Sequence, residues 1–549
     1  ACMAPAGRAL GRRIETLAGL DAAGDPLFRR LQARFHAFGA AQCGICTPGM
    51  LVAAAALLRA DPRPAPAAIE RALAGVLCRC TGYRKIIAAV ASAADAPEAE
   101  IAPAPTPAAG AAVGAPVRRL DGAAKLSGRE AFGDDAPPAD ALTLKAVRSP
   151  HHAARFALGD VAAWAAARPG VAAVLTARDV PGENRFGVIP PFADQPALAE
   201  EATRFKGEAV AIVAGAPETM ATLDLSDFPV VWSEEPAALT PPEALAEGAA
   251  ALHPNRPGNV MTEGRVARGD LEAGFARAAA VAEGRYATAF VEHAYIEPEA
   301  GWARRVGDRL EIWACTQAPM MNRDEIAGLI GVAPEQVRVR PAAVGGGFGS
   351  KLDLSVQSFL AIAAWRLGRP VRMTYTRAES MATTTKRHPS EITARIGADA
   401  DGRLTAMRFH GDFNTGAYAS WGPTVANRVP IHASGPYETP AYLATSRAVH
   451  TNCAPAGAFR GFGVPQSAIA QETLFDLLAE KLGIDPLAFR LKNALRDGAP
   501  TVCGQRFAQG VGIAACFEAL APAWAEARAA AAAANAAARA AGGRLRRGA

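Results

Sequence analysis

The chain has 549 residues, half of them apolar and a fifth charged, with a net charge of only +5. That length accommodates several domains with ample core, and the small basic excess, part of it in Arg544, Arg546 and Arg547, leaves no nucleic-acid footprint. The nine cysteines are too scattered for a disulfide scaffold, and no apolar run approaches a membrane span.

In chain order, residues 13–98 read as a helical domain. Phe28, Leu31, Phe35 and Phe38 recur at three- and four-residue spacing, and Ile69, Leu73, Val76 and Leu77 share one helical face. Within this domain lie two tight cysteine pairs, Cys43-Gly-Ile-Cys46-Thr-Pro-Gly and Cys78-Arg-Cys80-Thr-Gly-Tyr. Each is followed by Thr and then a helical run. Both pairs are therefore expected at helix N-termini capped by Thr47 and Thr81, where free N–H groups and the helix dipole stabilise an anionic cluster. A two-iron, two-sulfide cluster leaves four tetrahedral positions for protein thiolates, which two close pairs supply. A structural zinc site is the alternative. Zinc ribbons repeat a C-x-x-C knuckle, whereas the second pair here is C-x-C, so the spacing favours iron–sulfur. The other cysteines, Cys2, Cys315, Cys453, Cys503 and Cys516, are scattered. Labile thiolate ligands imply a reducing compartment, the cytoplasm, or assembly there before export to the periplasm.

A Pro/Ala/Gly tract at 99–118 reads as a linker. From 119 to 236 the chain reads as a small mixed α/β domain. Its strands are expected at Leu142–Val147, Val171–Thr176 and Ala209–Ala214, with a helix from Val161. A Pro-containing stretch at Leu239-Thr-Pro-Pro and His253-Pro-Asn-Arg-Pro separates it from a larger α/β region, 255–495, and the tail beyond about 510 is helical by composition. In the larger region Val337–Arg340 alternates like a strand and runs into Gly345-Gly-Gly-Phe-Gly-Ser-Lys351. Adjacent glycines let backbone amides approach a ligand closely. The segment matches neither phosphate-loop nor dinucleotide patterns, since Ser350 stands where the latter needs glycine. Alone, such a loop is more often a tight turn than a site. A second loop, Gly457-Ala-Phe-Arg-Gly-Phe-Gly, sets Arg460 among glycines and two Phe, which suits an anionic ligand or, alternatively, a structured loop with core aromatics.

Taken in order, these motifs, with Arg204-Phe-Lys-Gly-Glu-Ala-Val and Glu297-Pro298, resemble the molybdenum hydroxylases, the xanthine dehydrogenase/aldehyde oxidase family. The resemblance implies a multidomain α+β protein. Residues 1–12 would be the remnant of a ferredoxin-like [2Fe-2S] domain, with Cys2 its last ligand, and 13–98 a helical [2Fe-2S]-binding domain. After the linker, 119–236 would be an a/b hammerhead domain, 255–495 the first part of a molybdopterin-binding domain, and 496–549 the start of a second one. Cys43, Cys46, Cys78 and Cys80 would bind the proximal cluster. Gln42, Gln317, Gly346, Gly347, Phe348, Arg460 and Gly461 would lie against the molybdenum–molybdopterin cofactor. Arg428, Phe462 and Leu352 would line the substrate pocket.

The activity so implied is oxidative hydroxylation with water as the oxygen source. Electrons would leave through the clusters to a separate acceptor, a flavin or cytochrome subunit, because the linker stands where relatives insert a flavin domain; no FAD is expected in this chain. The catalytic glutamate base of the family would follow residue 549, no substitute for it is identified here, and the fragment is expected to be inactive alone. A homodimer is compatible with the resemblance. Purine oxidisers carry a glutamate where Leu352 stands, so an aldehyde or a less polar N-heteroaromatic is the expected substrate. The other reading is an iron–sulfur electron-transfer protein without molybdenum chemistry.

Overall fold

The computed structural model describes residues 6–94, 106–115, 117–544 and 548. Cys2, residues 99–105 and 116 of the 99–118 linker, and Arg546 and Arg547 lie outside the described residues.

The N-terminal domain is built on helices Pro26–Phe38, Thr47–Ala60, Pro66–Leu73 and Arg84–Ala93. Asp25 starts the first by accepting from Phe28 N at 2.8 Å, and Gly39 ends it in the left-handed conformation. Phe28, Leu31 and Phe35 meet Met50, Leu51, Ile69, Leu73, Ile86 and Val90 in one core. Two of the expected core positions lie elsewhere: Phe38 is 37% exposed and Leu77 70% exposed. Phe38 ends its helix, and Leu77 stands beyond the end of Pro66–Leu73, so the helical spacing no longer governs where Leu77 points.

Within 119–236 the strands Ala202–Thr203, Ala154–Leu158 and Val230–Glu234 form a small sheet of their own, but the three expected strands do not close one by themselves. Leu142–Arg148, Ala209–Gly215 and Val171–Thr176 continue a seven-stranded sheet whose other members are Val337–Pro341, Arg309–Ala314, Ala300–Val306 and Val371–Thr374. The join is the parallel pairing of Leu142 with Val371. The strand Ala209–Gly215 is buried on both faces, as its unbroken apolar run requires. Helices Pro319–Ile330 and Val356–Leu367 pack on this sheet. A second, five-stranded sheet runs Val260–Arg268, Tyr442–His450, Leu404–Gly416, Ser390–Ala398, Ala280–Thr288. Its core holds Phe409, Phe413, Val429, Leu474 and Phe475, so helices Gly422–His432 and Val464–Leu482 cover it. The tail forms one helix, Ile513–Ala540.

Three connections leave strand ends toward a common region: the Gly-rich segment after Val337–Pro341, the turn after Leu404–Gly416, and the Arg460 segment after Tyr442–His450. The cysteine loops of the N-terminal domain meet them there.

Candidate active site

The cysteine loops bring their thiols together crosswise. Cys43 lies against Cys80, and Cys46 against Cys78, each pair sharing a hydrogen bond. That bond, opposed by burial, pulls the Cys78 thiol down to about 5 and Cys43 to about 7, while it pushes Cys46 and Cys80 well up. Four half-buried thiols cannot all ionise without a cation among them, so metal binding would release protons here. Among the described residues, the triad of metal-type ligand atoms within 4.8 Å of one another is Asp194, His253 and His450. No three of the cysteine sulfurs are packed that tightly. A tetrahedral zinc would hold its sulfurs about 3.8 Å apart, given its usual bond length. The crosswise pairs, with no three sulfurs that close among the described residues, suit a two-iron cluster instead. The Asp194 triad is itself filled by a guanidinium, because Arg256 Nη1 stands 2.7 Å from both Asp194 Oδ2 and His450 Nε2.

The caps differ from the expectation. Cys46, not Thr47, is the N-cap of Thr47–Ala60, and Thr47 turns inward at 1% exposure. The thiol thus sits at the helix N-terminus itself, with no side-chain hydrogen bond taking the free N–H groups. The second helix begins at Arg84 after Tyr83 at φ 66°. Thr81 Oγ1 accepts from Tyr83 N at 3.1 Å and lies 3.1 Å from Cys78 Sγ, while Tyr83 Oη accepts from Cys78 N at 2.9 Å. Thr81 therefore shapes the cysteine loop rather than capping the helix.

The Gly-rich segment is wedged on every side. A Cβ on Gly345 would lie 2.6 Å from Ile45 Cγ1, so the loop between Cys43 and Cys46 touches this segment directly. A Cβ on Gly347 would lie 2.3 Å from Gln317 Oε1, which accepts from Gly349 N at 3.0 Å. Gly349 itself has φ +116° and passes 2.5 Å, measured from a built Cβ, from the Ala458 carbonyl. Gly347→Ala is therefore expected to cost about 1–3 kcal/mol by overpacking and to displace Gln317. Denaturation midpoint and bound pterin per chain would both read that loss.

Beneath the segment, Glu297 accepts from Gly345 N at 2.6 Å, Gly133 N at 3.0 Å and Lys351 Nζ at 2.7 Å. Lys351 and Glu297 are 2% and 7% exposed. This clamp escaped the sequence reading, although Lys351 and Glu297 both stood in the motifs.

The second loop is tied to the first by Arg460 N donating to Phe348 O at 2.9 Å. Phe459 is sandwiched between the His293 ring, stacked at 4.0 Å, and the Arg387 guanidinium at 3.9 Å. Arg387 also donates to Arg460 O at 2.9 Å, and His293 bonds Ala458 O at 2.8 Å. Arg79, between the second cysteine pair, donates to His293 O at 3.0 Å. Burial keeps His293 neutral, lowering its pKa to about 3, so it donates to Ala458 O through Nε2–H. Nothing in the spacing of the sequence marked His293, Arg387 or Phe459 as neighbours.

The Gly-rich and Arg460 loops thus join Gly346, Gly347, Phe348, Gln317, Arg460 and Gly461. Gln317, Arg460 and Gly461 are exposed and Phe348 is half-buried. Gln42 is exposed on the first cysteine loop. Arg428 lies 5.8 Å over the Phe462 ring. Leu352 is half-buried at the end of the Gly-rich segment, its carbonyl accepting from Asn322 Nδ2 at 3.0 Å. The donor set and the glycine cradle fit an iron–sulfur cluster beside an anionic pterin cofactor.

Behind Leu352 two carboxyls face each other. Burial pushes Asp353 up to about 7; burial and the neighbouring Asp353 push Glu325 up to about 8. Folded-state values above the unfolded ones mean that the native protein holds protons the unfolded chain has lost. The stability they contribute is complete below the ordinary carboxylate range, and it is lost as pH rises through about 7 and about 8. Urea midpoints measured from pH 5 to 8.5 are expected to fall, and the fall should be shallower in Asp353→Asn/Glu325→Gln.

Three family models match this chain: a [2Fe-2S] binding domain over residues 16–91, the aldehyde oxidase and xanthine dehydrogenase a/b hammerhead domain over 127–236, and a molybdopterin cofactor-binding domain over 252–494. No flavin-domain model matches. The chain is 36% identical over 396 residues to the large molybdopterin subunit of nicotinate dehydrogenase from Eubacterium barkeri, covering 72% of this chain and 92% of that one. It is 33% identical over 515 residues to the aldehyde oxidoreductase of Megalodesulfovibrio gigas, covering 90% of this chain and 56% of that one. The solved aldehyde oxidoreductase from Desulfovibrio gigas superimposes with a TM-score of 0.90 at 31% identity, over 97% of this chain and 60% of that one. The chain thus spans little more than half the length of those aldehyde oxidoreductases. It belongs to the molybdenum hydroxylases, the family of xanthine dehydrogenase and aldehyde oxidase. Its domains are a [2Fe-2S]-binding one and a molybdopterin-binding one, joined by the hammerhead segment. Among the described residues no helix is long and apolar enough to cross a membrane.

Proposed function

We propose that this chain is the iron–sulfur and cofactor-binding part of a cytoplasmic enzyme that hydroxylates an aldehyde or an N-heteroaromatic carbon with oxygen from water. The observation that carries this reading is the contact of Ile45, inside the first cysteine loop, with Gly345 of the glycine cradle. A cluster on these thiols and a cofactor on this cradle would be neighbours, as electron transfer between them requires.

When bound, the molybdenum–pterin group supplies the two-electron oxidation and the cluster the one-electron exit. The residues of this chain place and shield it. Gly346, Gly347 and Phe348 offer backbone without intervening side-chain bulk. Gln317, its Oε1 held by Gly349 N, keeps its amide N–H group for the cofactor. Arg460, fixed through its own backbone at both N and O, presents a guanidinium to negative charge. Gln42, exposed on the first cysteine loop, would lie beside the pterin. Leu352, Phe462 and Arg428 would bound the substrate. An apolar Leu352 gives no hydrogen-bond partner to a purine, which favours an aldehyde or a less polar N-heteroaromatic.

The carboxylates under the cradle are committed, Glu297 to Lys351 and Glu299 to the Tyr295 hydroxyl. The general base is therefore expected from outside residues 1–549. The purified 549-residue chain should show no turnover, whereas the protein expressed from its complete gene should. In that protein, iron with molybdenum and oxygen-18 from labelled water in the acid formed from benzaldehyde, or in hydroxylated nicotinate, would support the proposal. Iron without molybdenum, and no turnover, would replace it with a simple electron carrier passing electrons to a partner subunit.

A further inference from the structure

Asp353 follows Leu352 directly and reaches across to a separate element. One of its oxygens accepts from the Ser420 hydroxyl. The other is buried without a well-aligned donor, and so is the indole N–H of Trp421. These two orphans are complementary, and the Ser420–Asp353 bond sets the carboxyl beside the residue that follows Ser420, Trp421. Ser420 is held at φ 43°, a left-handed conformation that a residue other than glycine keeps only when its surroundings fix it. Trp421 is the N-cap of helix Gly422–His432, which carries Arg428. Its ring meets Phe462 edge-on at 5.8 Å, and Arg428 lies over that same Phe462 at 5.8 Å. Phe462 is likewise in a left-handed conformation, φ 45°. Leu352, Trp421 and Phe462 are each half-buried, so each retains an open face. One buried carboxyl thus ties the end of the Gly-rich segment to the turn that sets the indole and starts the Arg428 helix.

We propose that Trp421 is a specificity-determining residue, the aromatic wall against which a flat aromatic or heteroaromatic substrate packs, and that Asp353 is the positioning residue that fixes its indole. This rests on the functional reading above and deepens it. An edge-to-face wall of Trp421 and Phe462 rewards a planar ring, and aromatic pairs gain beyond their buried area. A small aliphatic aldehyde reaches the same cradle without touching the wall. Selection would therefore appear in KM, and only for the aromatic substrate. Nothing in Asp353 touches the reacting carbon, so its effect passes through the indole.

The test compares benzaldehyde with acetaldehyde in the complete holoenzyme, in Trp421→Leu, Asp353→Leu and Asp353→Asn. Trp421→Leu and Asp353→Leu are each expected to raise KM for benzaldehyde about tenfold and leave kcat for acetaldehyde within about threefold. Asp353→Asn, whose amide oxygen can accept from the indole while its NH2 donates to the Ser420 hydroxyl, should restore at least half of that selectivity. Equal losses on both substrates, or an Asn variant as impaired as the Leu variant, would overturn the proposal. A second readout needs no turnover. Titrating benzamide should quench the tryptophan fluorescence that is lost in Trp421→Phe, and equal quenching in both proteins would also refute the wall. If no carbonyl or heteroaromatic substrate reacts at all while that quenching is present, the functional reading fails and the aromatic site stands.

Discussion

Cys78→Ser is expected to give a colourless protein, with iron falling from about two atoms per chain to background and the paramagnetic signal of the dithionite-reduced protein lost. The reason is geometric as much as chemical. Cys78 is the thiol most disposed to ionise, pulled down to about 5 by its hydrogen bond with Cys46, and its backbone and sulfur are both held, by Tyr83 Oη at 2.9 Å and Thr81 Oγ1 at 3.1 Å. A serine there is a hard alcohol that does not ionise near neutral pH, in a loop too constrained to bring another ligand. The helical domain should survive, because its core of Phe28, Phe35, Met50 and Ile86 lies in the helices and not in the cysteine loops. Far-ultraviolet circular dichroism should therefore be nearly unchanged while visible absorption disappears. Thr81→Val, which removes the hydroxyl beside Cys78, should keep the cluster but shift its reduction potential, since hydrogen bonds to cluster sulfurs tune it. Wild-type colour in Cys78→Ser would mean that these four residues do not hold the metal.

How much of this was legible beforehand follows from what kind of information a linear pattern carries. The cysteine pairs, the glycine run and the Arg460 loop were visible because each is a dense local motif with a chemical demand behind it. The strands Leu142–Arg148 and Val171–Thr176 were visible as short apolar segments between polar ones. Their partner was not: Leu142 pairs with Val371, more than two hundred residues on, and nothing in period or composition encodes that register. The same limit hid the sandwich of His293, Phe459 and Arg387, whose members come from three separate segments. The cap was misplaced for a subtler reason. Thr is the better N-cap by its hydroxyl, but Thr47 is buried, and the cap passes one residue back to Cys46, whose sulfur then stands at the helix terminus. A preference measured on isolated helices gave way to the burial of a neighbour.

Lys351→Met should be the most destabilising single substitution under the cradle, by about 3–5 kcal/mol, because it strands a buried carboxylate. Burial by itself would lower the Lys351 pKa, yet Cys315 and Glu297 facing it raise it, so the pair is ionic. With the ammonium gone, Glu297 retains only the N–H groups of Gly345 and Gly133 as donors, at 2.6 and 3.0 Å. Two neutral donors do not offset the desolvation of a charge. Glu297→Gln should cost less, since its amide oxygen can still accept from Lys351, whose ammonium also keeps the Glu297 backbone carbonyl at 3.0 Å and the Tyr295 ring at 4.7 Å. Combining the two changes leaves neither charge and should recover more than half of the Lys351→Met loss, a coupling that a double-mutant cycle in urea measures directly. The consequence reaches the cofactor because Glu297 holds Gly345, and Gly345 touches Ile45 of the cysteine loop. Molybdenum per chain should fall with the single variants in the same order as stability, while iron, held by a domain with its own core, should fall less. Equal loss of both metals would show instead that the cluster domain and the cradle unfold as one unit.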